Sequence, residues 1–417
     1  MISNYLKIAL RNIFKHKGYS LINIIGLAVG MSCFVLIAIL VRDEFSFDRF
    51  HERADRIYRL TLDAQIGETF LTAKSSGPLA RSLREDVPGV EASTRVRIVG
   101  DHSMRYGDRS FTEFRLYLAD SSIFRIFTFS VVEGDLRAFL TKPSTIVITD
   151  VMARKYFGDA PALGKTLVMD GSVPYMVCGV VKPLPKNSHW HFNSLVSSWP
   201  RSYGDEEYWI GNSWYTYVLL RPGVPPGQVE SAFQSIVETH VRPLLKQFFS
   251  ADWKELEARG MHYRYRFQRL TDIHLYSHLD EEFEPTGAIS TVMMFITIAL
   301  LILAIACINF MNLNTARSAH RAKEIGVRKV LGASVASIVL QLTKRFTKLV
   351  LIANLIAWPV AYYGMQKWLD GFAYRTEIDV TAFFGAGLLA LAIAVLTISY
   401  HAIRAAVANP VEALRYE

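Results

Sequence analysis

The sequence predicts an α-helical membrane protein with four transmembrane helices and a large α+β periplasmic domain inserted between the first and second of them. Three observations carry this. Stretches 19–41, 288–316, 349–366 and 380–403 contain no Asp, Glu, Lys or Arg, and a hydrocarbon core needs about 20 helical residues. Of 417 residues, 51% are apolar and only 20% charged, with mean hydropathy +0.20, too apolar for an ordinary soluble chain and too aromatic for a disordered one. The soluble pieces between the stretches alternate in charge.

The first stretch follows Lys7, Arg11, Lys15 and Lys17, as a signal peptide would. Its apolar run is longer than the roughly 7 to 15 residues of such a peptide, and Val41-Arg42-Asp43 is no small-residue cleavage site, so a retained anchor is expected. The third stretch contains Pro359, which membrane helices tolerate when neighbours satisfy the freed carbonyl. Residues 1–20 carry four basic and no acidic side chains, 311–348 eight against one, and 401–417 two against two. Residues 42–287 carry 30 basic and 32 acidic side chains, and 367–379 two and three. Alternate pieces therefore total +11 and −3, the bias of the positive-inside rule, with both termini cytoplasmic and residues 42–287 outside. The formal +8 is thus no nucleic-acid signal. Cys33 and Cys307 fall inside spans and Cys178 stands alone, so no disulfide framework forms outside, which suits a bacterial inner (cytoplasmic) membrane.

Each piece has a local reading. Residues 1–18 place Lys7, Arg11 and Lys15 at i, i+4, i+8 with Leu6, Leu10, Ile13 and Phe14 between them, an amphipathic helix against membrane lipid on the cytoplasmic side. In the first span (19–41), Gly26 and Gly30 at a spacing of four permit close helix packing. Within 42–287, runs 93–99, 111–118, 144–148, 175–181 and 214–220 are β-branched or aromatic and read as strands, while 78–86, 150–157 and 227–249 have helical spacing. The Pro/Gly-rich segment 221–226 suggests a boundary between two lobes. The second span is placed at 288–310, the third at 349–366 and the fourth at 380–403, joined by a cytoplasmic loop at 311–348 and a short periplasmic one at 367–379, with a tail at 404–417. The 311–348 loop holds a helix ending at Gly332, with Ser334 capping the next and Glu324 and Arg328 as an i, i+4 pair. Ile325, Val327, Val330 and Leu331 give it an apolar face among eight cations, a surface that a cytoplasmic partner could grip.

No catalytic constellation is complete. His189-Trp-His191, and His274 with His278 and Glu282, approach ligand spacing without HExxH or a completing cluster, and packing histidines are commoner. Residues 158–166 (GDAPALGKT) resemble a phosphate-binding loop, but five residues separate the glycines and the preceding segment is helical. The spans carry no Asp, Glu, Lys or Arg to line an ion or proton path, and Asn23, Asn309, Asn354 and His401 are their noticeable polar residues. The cytoplasmic pieces are too short to fold a catalytic domain. No resident cofactor is expected, and the chain reads as a non-catalytic subunit whose energy comes from another chain.

Several runs point to a family. They are FDRFHERADRIY (47–58), DSSIFRIF (120–127), VVEGD (131–135), LTDIHL (270–275), INFMNL (308–313), RAKEIGVRKVLGA (321–333) and NPVEALR (409–415). With these the chain resembles the FtsX-like permeases of ABC transporters, in the MacB-type branch with a periplasmic core domain. The resemblance implies one span, a periplasmic domain and three further spans. It also implies a second permease copy, as homo- or heterodimer, and a cytoplasmic ABC ATPase dimer that binds ATP and grips the loop after the second span. By carry-over, Lys323, Glu324, Ile325, Gly326, Val327, Arg328 and Lys329 would form the coupling helix. Lys344 and Arg345 depart from the acidic residue that relatives often carry there. The expected role is mechanotransmission for export or efflux, with room for a periplasmic adaptor or outer-membrane partner; the alternative is an FtsX-like transmembrane regulator of a cell-envelope enzyme.

Overall fold

The computed structural model describes residues 17–198, 208–315 and 334–369, with single positions between 384 and 403. The chain divides into two units, Ser46–Ala288 and the residues on either side of it. In order, the elements are α1 (Lys17–Phe45), β1 (Ile57–Ile66), β2 (Glu68–Thr72), β3 (Ser75–Ser76), α2 (Leu79–Asp86), β4 (Val90–Tyr106), β5 (Arg109–Ala119) and α3 (Ile123–Ile126). Then come β6 (Val131–Glu133), β7 (Thr145–Thr149), α4 (Asp150–Phe157), β8 (Thr166–Met169), β9 (Val173–Val181), β10 (Ser194–Ser197) and β11 (Asn212–Leu220). The domain closes with α5 (Pro226–Ile236), α6 (Arg242–Phe249), α7 (Trp253–Ala258), β12 (His262–Arg269) and α8 (Ile273–Tyr276), and the long helices α9 (Ile289–Thr315) and α10 (Val335–Leu369) follow.

The inserted domain is α+β, built on one sheet of 12 strands with the path β12-β1-β11-β4-β5-β10-β7-β9-β6. The Pro/Gly-rich segment 221–226, where the sequence suggests a boundary between two lobes, directly follows β11. The chain beyond that segment comes back to the sheet, because β12 pairs antiparallel with β1 from Tyr58↔Arg269 to Gln65↔His262. On β1 the side chains of Tyr58, Leu60, Leu62 and Ala64 face one core, shared with α2, α5 and α6. Ile57 faces a second core around Trp190, Phe127 and Tyr217. With both faces covered, the alternate residues Arg59 and Thr61 are buried although polar.

Local signals explain the helices. Thr149 Oγ1 accepts from Met152 N (3.3 Å) at the start of α4, Arg154 and Lys155 sit in its last turn, and Gly158 ends it at φ +64°. The helical run expected over 227–249 is interrupted by a π turn at Val237–Val241. Pro243, just beyond, has no N–H and its ring crowds the carbonyl four residues back, so the backbone opens a wider turn there.

In the second unit, α1, α9 and α10 pack through Leu27, Met31 and Phe34, Leu303 and Cys307, and Val350, Ala353 and Ala357. Ser32 Oγ lies 2.7 Å from Ala28 O and 3.2 Å from Ala357 O, joining α1 to α10. Two described helices are long and apolar enough to cross a membrane, Ile25–Phe45 and Ile289–Asn309, and a shorter apolar stretch, Val350–Gly364, lies in α10. The amphipathic helix expected at 1–18 falls almost wholly outside the described residues, as does half of the fourth span.

Candidate functional site

The site residues named from the sequence divide between the two units. Lys323, Glu324, Ile325, Gly326, Val327, Arg328 and Lys329 lie outside the described residues. Gly26 and Gly30 lie in α1. A Cβ at Gly30 would stand 2.5 Å from the Ala306 Cβ of α9, whereas one at Gly26 would meet nothing closer than Asn309 Nδ2 at 3.8 Å. The small residue at position 30 is what lets α1 and α9 of the same chain approach.

In the inserted domain the polar groups converge on the legs through which the chain enters and leaves it, residues 46–58 and 270–288. Asp48, at φ +58° and fully buried, accepts through Oδ1 from His189 N (3.2 Å) and His189 Nδ1 (2.8 Å). A carboxylate only accepts, so Nδ1 carries the proton, and Nε2 accepts a hydrogen bond from the Tyr217 hydroxyl at 2.7 Å. Burial holds the Tyr217 phenol well above its ordinary range, so it remains a donor. His51 Nδ1 accepts from Thr128 N at 3.1 Å. Burial drives the His51 imidazole down to about 4, against the opposing pull of Asp48, and His189 adds to the lowering.

On the exit leg, Glu282 meets Arg59 in a bidentate pair (2.5 and 2.6 Å) and also accepts from Ser277 Oγ. Arg59 Nη2 further donates to Gln268 Oε1 at 2.6 Å. Phe283 stacks on Tyr215 at 3.6 Å, and Tyr215 donates to Glu281 O at 2.7 Å. Both legs are thereby bound to β1 and β11, neighbouring strands near one end of the sheet. Sequence spacing carried no sign of this network, because its partners stand far apart in the chain and meet only through strand register.

Three of the residues that approached ligand spacing are engaged otherwise. His189 serves Asp48 and Tyr217, His191 lies between Glu284 (3.0 Å) and Pro185 O (2.9 Å), and Glu282 is committed to Arg59. Among the described residues no group of three His, Cys, Asp or Glu stands together as metal ligands would. The loop 158–166 runs from a helix to a strand, the reverse of a phosphate-binding loop. Its amides are already occupied: Ala162 N and Leu163 N both donate to Glu133 Oε2 at 3.0 Å, and Gly164 N donates to Val177 O at 2.8 Å. Lys165 Nζ lies 4.9 Å from the centre of the Phe157 ring. The arrangement is a structural turn held by one carboxylate.

The family profile of a MacB-like periplasmic core domain matches residues 20–236, and that of an FtsX-like permease C-terminal region matches residues 296–410. The chain is similar to the ABC transporter permease YvrN of Bacillus subtilis (strain 168), 22% identical over 432 residues that cover 99% of each. A solved domain of a permease protein from Porphyromonas gingivalis is 24% identical, covering 59% of this chain and 99% of that one, with TM-score 0.44. The periplasmic region of MacB from Actinobacillus actinomycetemcomitans is 15% identical, covering 53% and 91%, with TM-score 0.34.

Proposed function

The chain belongs to the ABC transporter permeases with a MacB-like periplasmic core domain and an FtsX-like C-terminal region, and from that membership we propose that it is their mechanotransmission subunit. Permeases of this family work with a cytoplasmic ATPase and pair with a second permease. In this reading the chain carries no catalytic centre or cofactor of its own, spans the inner membrane four times with residues 1–18 and 404–417 in the cytoplasm, and presents Lys323, Glu324, Ile325, Gly326, Val327, Arg328 and Lys329 to the ATPase. ATP-driven movement of the spans then acts on the periplasmic domain to drive export.

The observation that supports this most is the polar binding of both domain legs. Asp48, directly after the first span, and Glu282, shortly before the second, are each tied to a buried group of the domain, His189 and Arg59. Buried, hydrogen-bonded charges resist sliding, because separating them leaves an uncompensated charge. A displacement of either leg is therefore passed to the sheet and not absorbed. The eight cations and one acid of 311–348 support the assignment of the ATPase contact.

The test is co-purification of the full chain from its native membranes. An ABC ATPase is expected to accompany the wild-type chain and to be lost on combined charge reversal, Glu324→Lys with Arg328→Glu, while the chain alone hydrolyses no ATP. ATPase retention by the double variant would remove the assigned contact. Labelled-substrate movement in vesicles carrying the pair separates export from regulation of an envelope enzyme.

A further inference from the structure

The two legs are also joined to each other. The chain leaves α1 at Phe45, and two residues later the Phe47 ring lies face to face on the imidazole of His274, with centroids 3.4 Å apart and planes 2° apart. His274 belongs to α8, on the leg that leads to α9. Immediately beside this stack the entry leg is pinned by backbone and side chain together. Asp48 N donates to Asn187 O at 2.7 Å, and Asn187 Nδ2 donates to Ser46 O (3.1 Å) and lies 2.9 Å from Ser46 Oγ. The left-handed conformation of Asp48 turns the chain here, placing its carboxylate on His189.

We propose that Phe47 and His274 are positioning residues that clasp the two legs together throughout the working cycle. Displacement at the end of either span then reaches the sheet as a single push at Asp48 and His189, instead of two independent ones. The proposal rests on the transmission reading above and assigns its point of application. A flat aromatic stack suits this role, because it resists separation of the rings yet leaves them free to turn against each other, so the legs can rotate without parting.

The test uses the full-length chain with its ATPase in membrane vesicles, read by amide hydrogen exchange with and without ATP. Phe47→Leu and His274→Leu keep bulk and remove the stack; Phe47→Tyr and His274→Phe keep it. The leucine variants are expected to retain the ATPase and hydrolyse ATP within about twofold of wild type, while losing most of the ATP-dependent change in exchange across the sheet. The aromatic variants should restore that change. In the resting protein, Phe47→Leu should raise exchange at 270–288 as well as at 46–56, by tenfold or more. An ATP-dependent change that survives in the leucine variants, or that stays lost in the aromatic ones, overturns the clasp. So does deprotection confined to the substituted leg. Absence of any ATP response in the wild type would instead count against the transmission reading, and the resting-state exchange still decides the clasp.

Discussion

Arg59 and Glu282 stand 223 positions apart in the sequence, yet the guanidinium of one grips the carboxylate of the other at 2.5 and 2.6 Å inside the domain. The Arg59 side chain has no exposed surface and that of Glu282 is 11% exposed. Removing one partner leaves a buried charge uncompensated, which costs about 3–5 kcal/mol, whereas replacing both with apolar groups is often neutral. Arg59→Met is expected to lower the unfolding midpoint of the purified full-length protein sharply, and the double variant Arg59→Met/Glu282→Leu to recover most of it. Denaturant titration followed by tryptophan fluorescence reads both; a double variant no better than the single would assign the cost to Gln268 and Ser277 instead.

His51 gives the domain a pH dependence of predictable sign. Its folded-state value, about 4, lies below the unfolded value of about 6.5, so the unfolded chain binds the extra proton first as pH falls. Stability is fully present above about 6.5 and declines as pH drops toward 4, by on the order of 3 kcal/mol across the window. His51→Gln, which keeps an acceptor for Thr128 N, should flatten the curve of stability against pH between 4 and 6.5. An unchanged slope would place the titration elsewhere.

The two glycines of the first span should respond oppositely to alanine. At position 30 the new methyl meets Ala306 Cβ at 2.5 Å, and overpacking of this kind costs about 1–3 kcal/mol. At position 26 the nearest atom is at 3.8 Å, and alanine gains helix propensity of up to about 1 kcal/mol. Gly30→Ala is expected to reduce thermal stability in detergent and to be rescued by Ala306→Gly, while Gly26→Ala is neutral or mildly stabilising. Failure of the rescue would show that the close contact at position 30 is not with Ala306.

Glu133 governs the loop that imitates a phosphate site. Glu133→Ala should free the amides of Ala162 and Leu163, raising their hydrogen exchange, without creating affinity for a nucleotide analogue. Saturable binding of the analogue by the variant would mean that the carboxylate had been masking an anion site.

What the sequence revealed follows the range of the interactions involved. Helix α4 was legible complete, because Thr149, Arg154, Lys155 and Gly158 act within one short segment. Strand β1 escaped notice, although Tyr58, Leu60, Leu62 and Ala64 alternate on one face, because Ile57 and the buried Arg59 fill the other and blur the period of two. The π turn ahead of Pro243 was hidden inside a good helical pattern. The roles of His189 and Glu282 were not legible, since they depend on Asp48 and Arg59, which only the fold brings near.

The pairing of β1 with both β11 and β12 also sets the order in which the domain can be made. Tyr58 finds Arg269 and Val218, residues that leave the ribosome long after it. At about 5–20 residues per second, the ~200 residues between β1 and β12 take on the order of 10–40 s to appear. Throughout that interval the edge of β1 that pairs with β12 is unsatisfied. The nascent domain is therefore most open to proteolysis and wrong pairing until β12 has closed that edge.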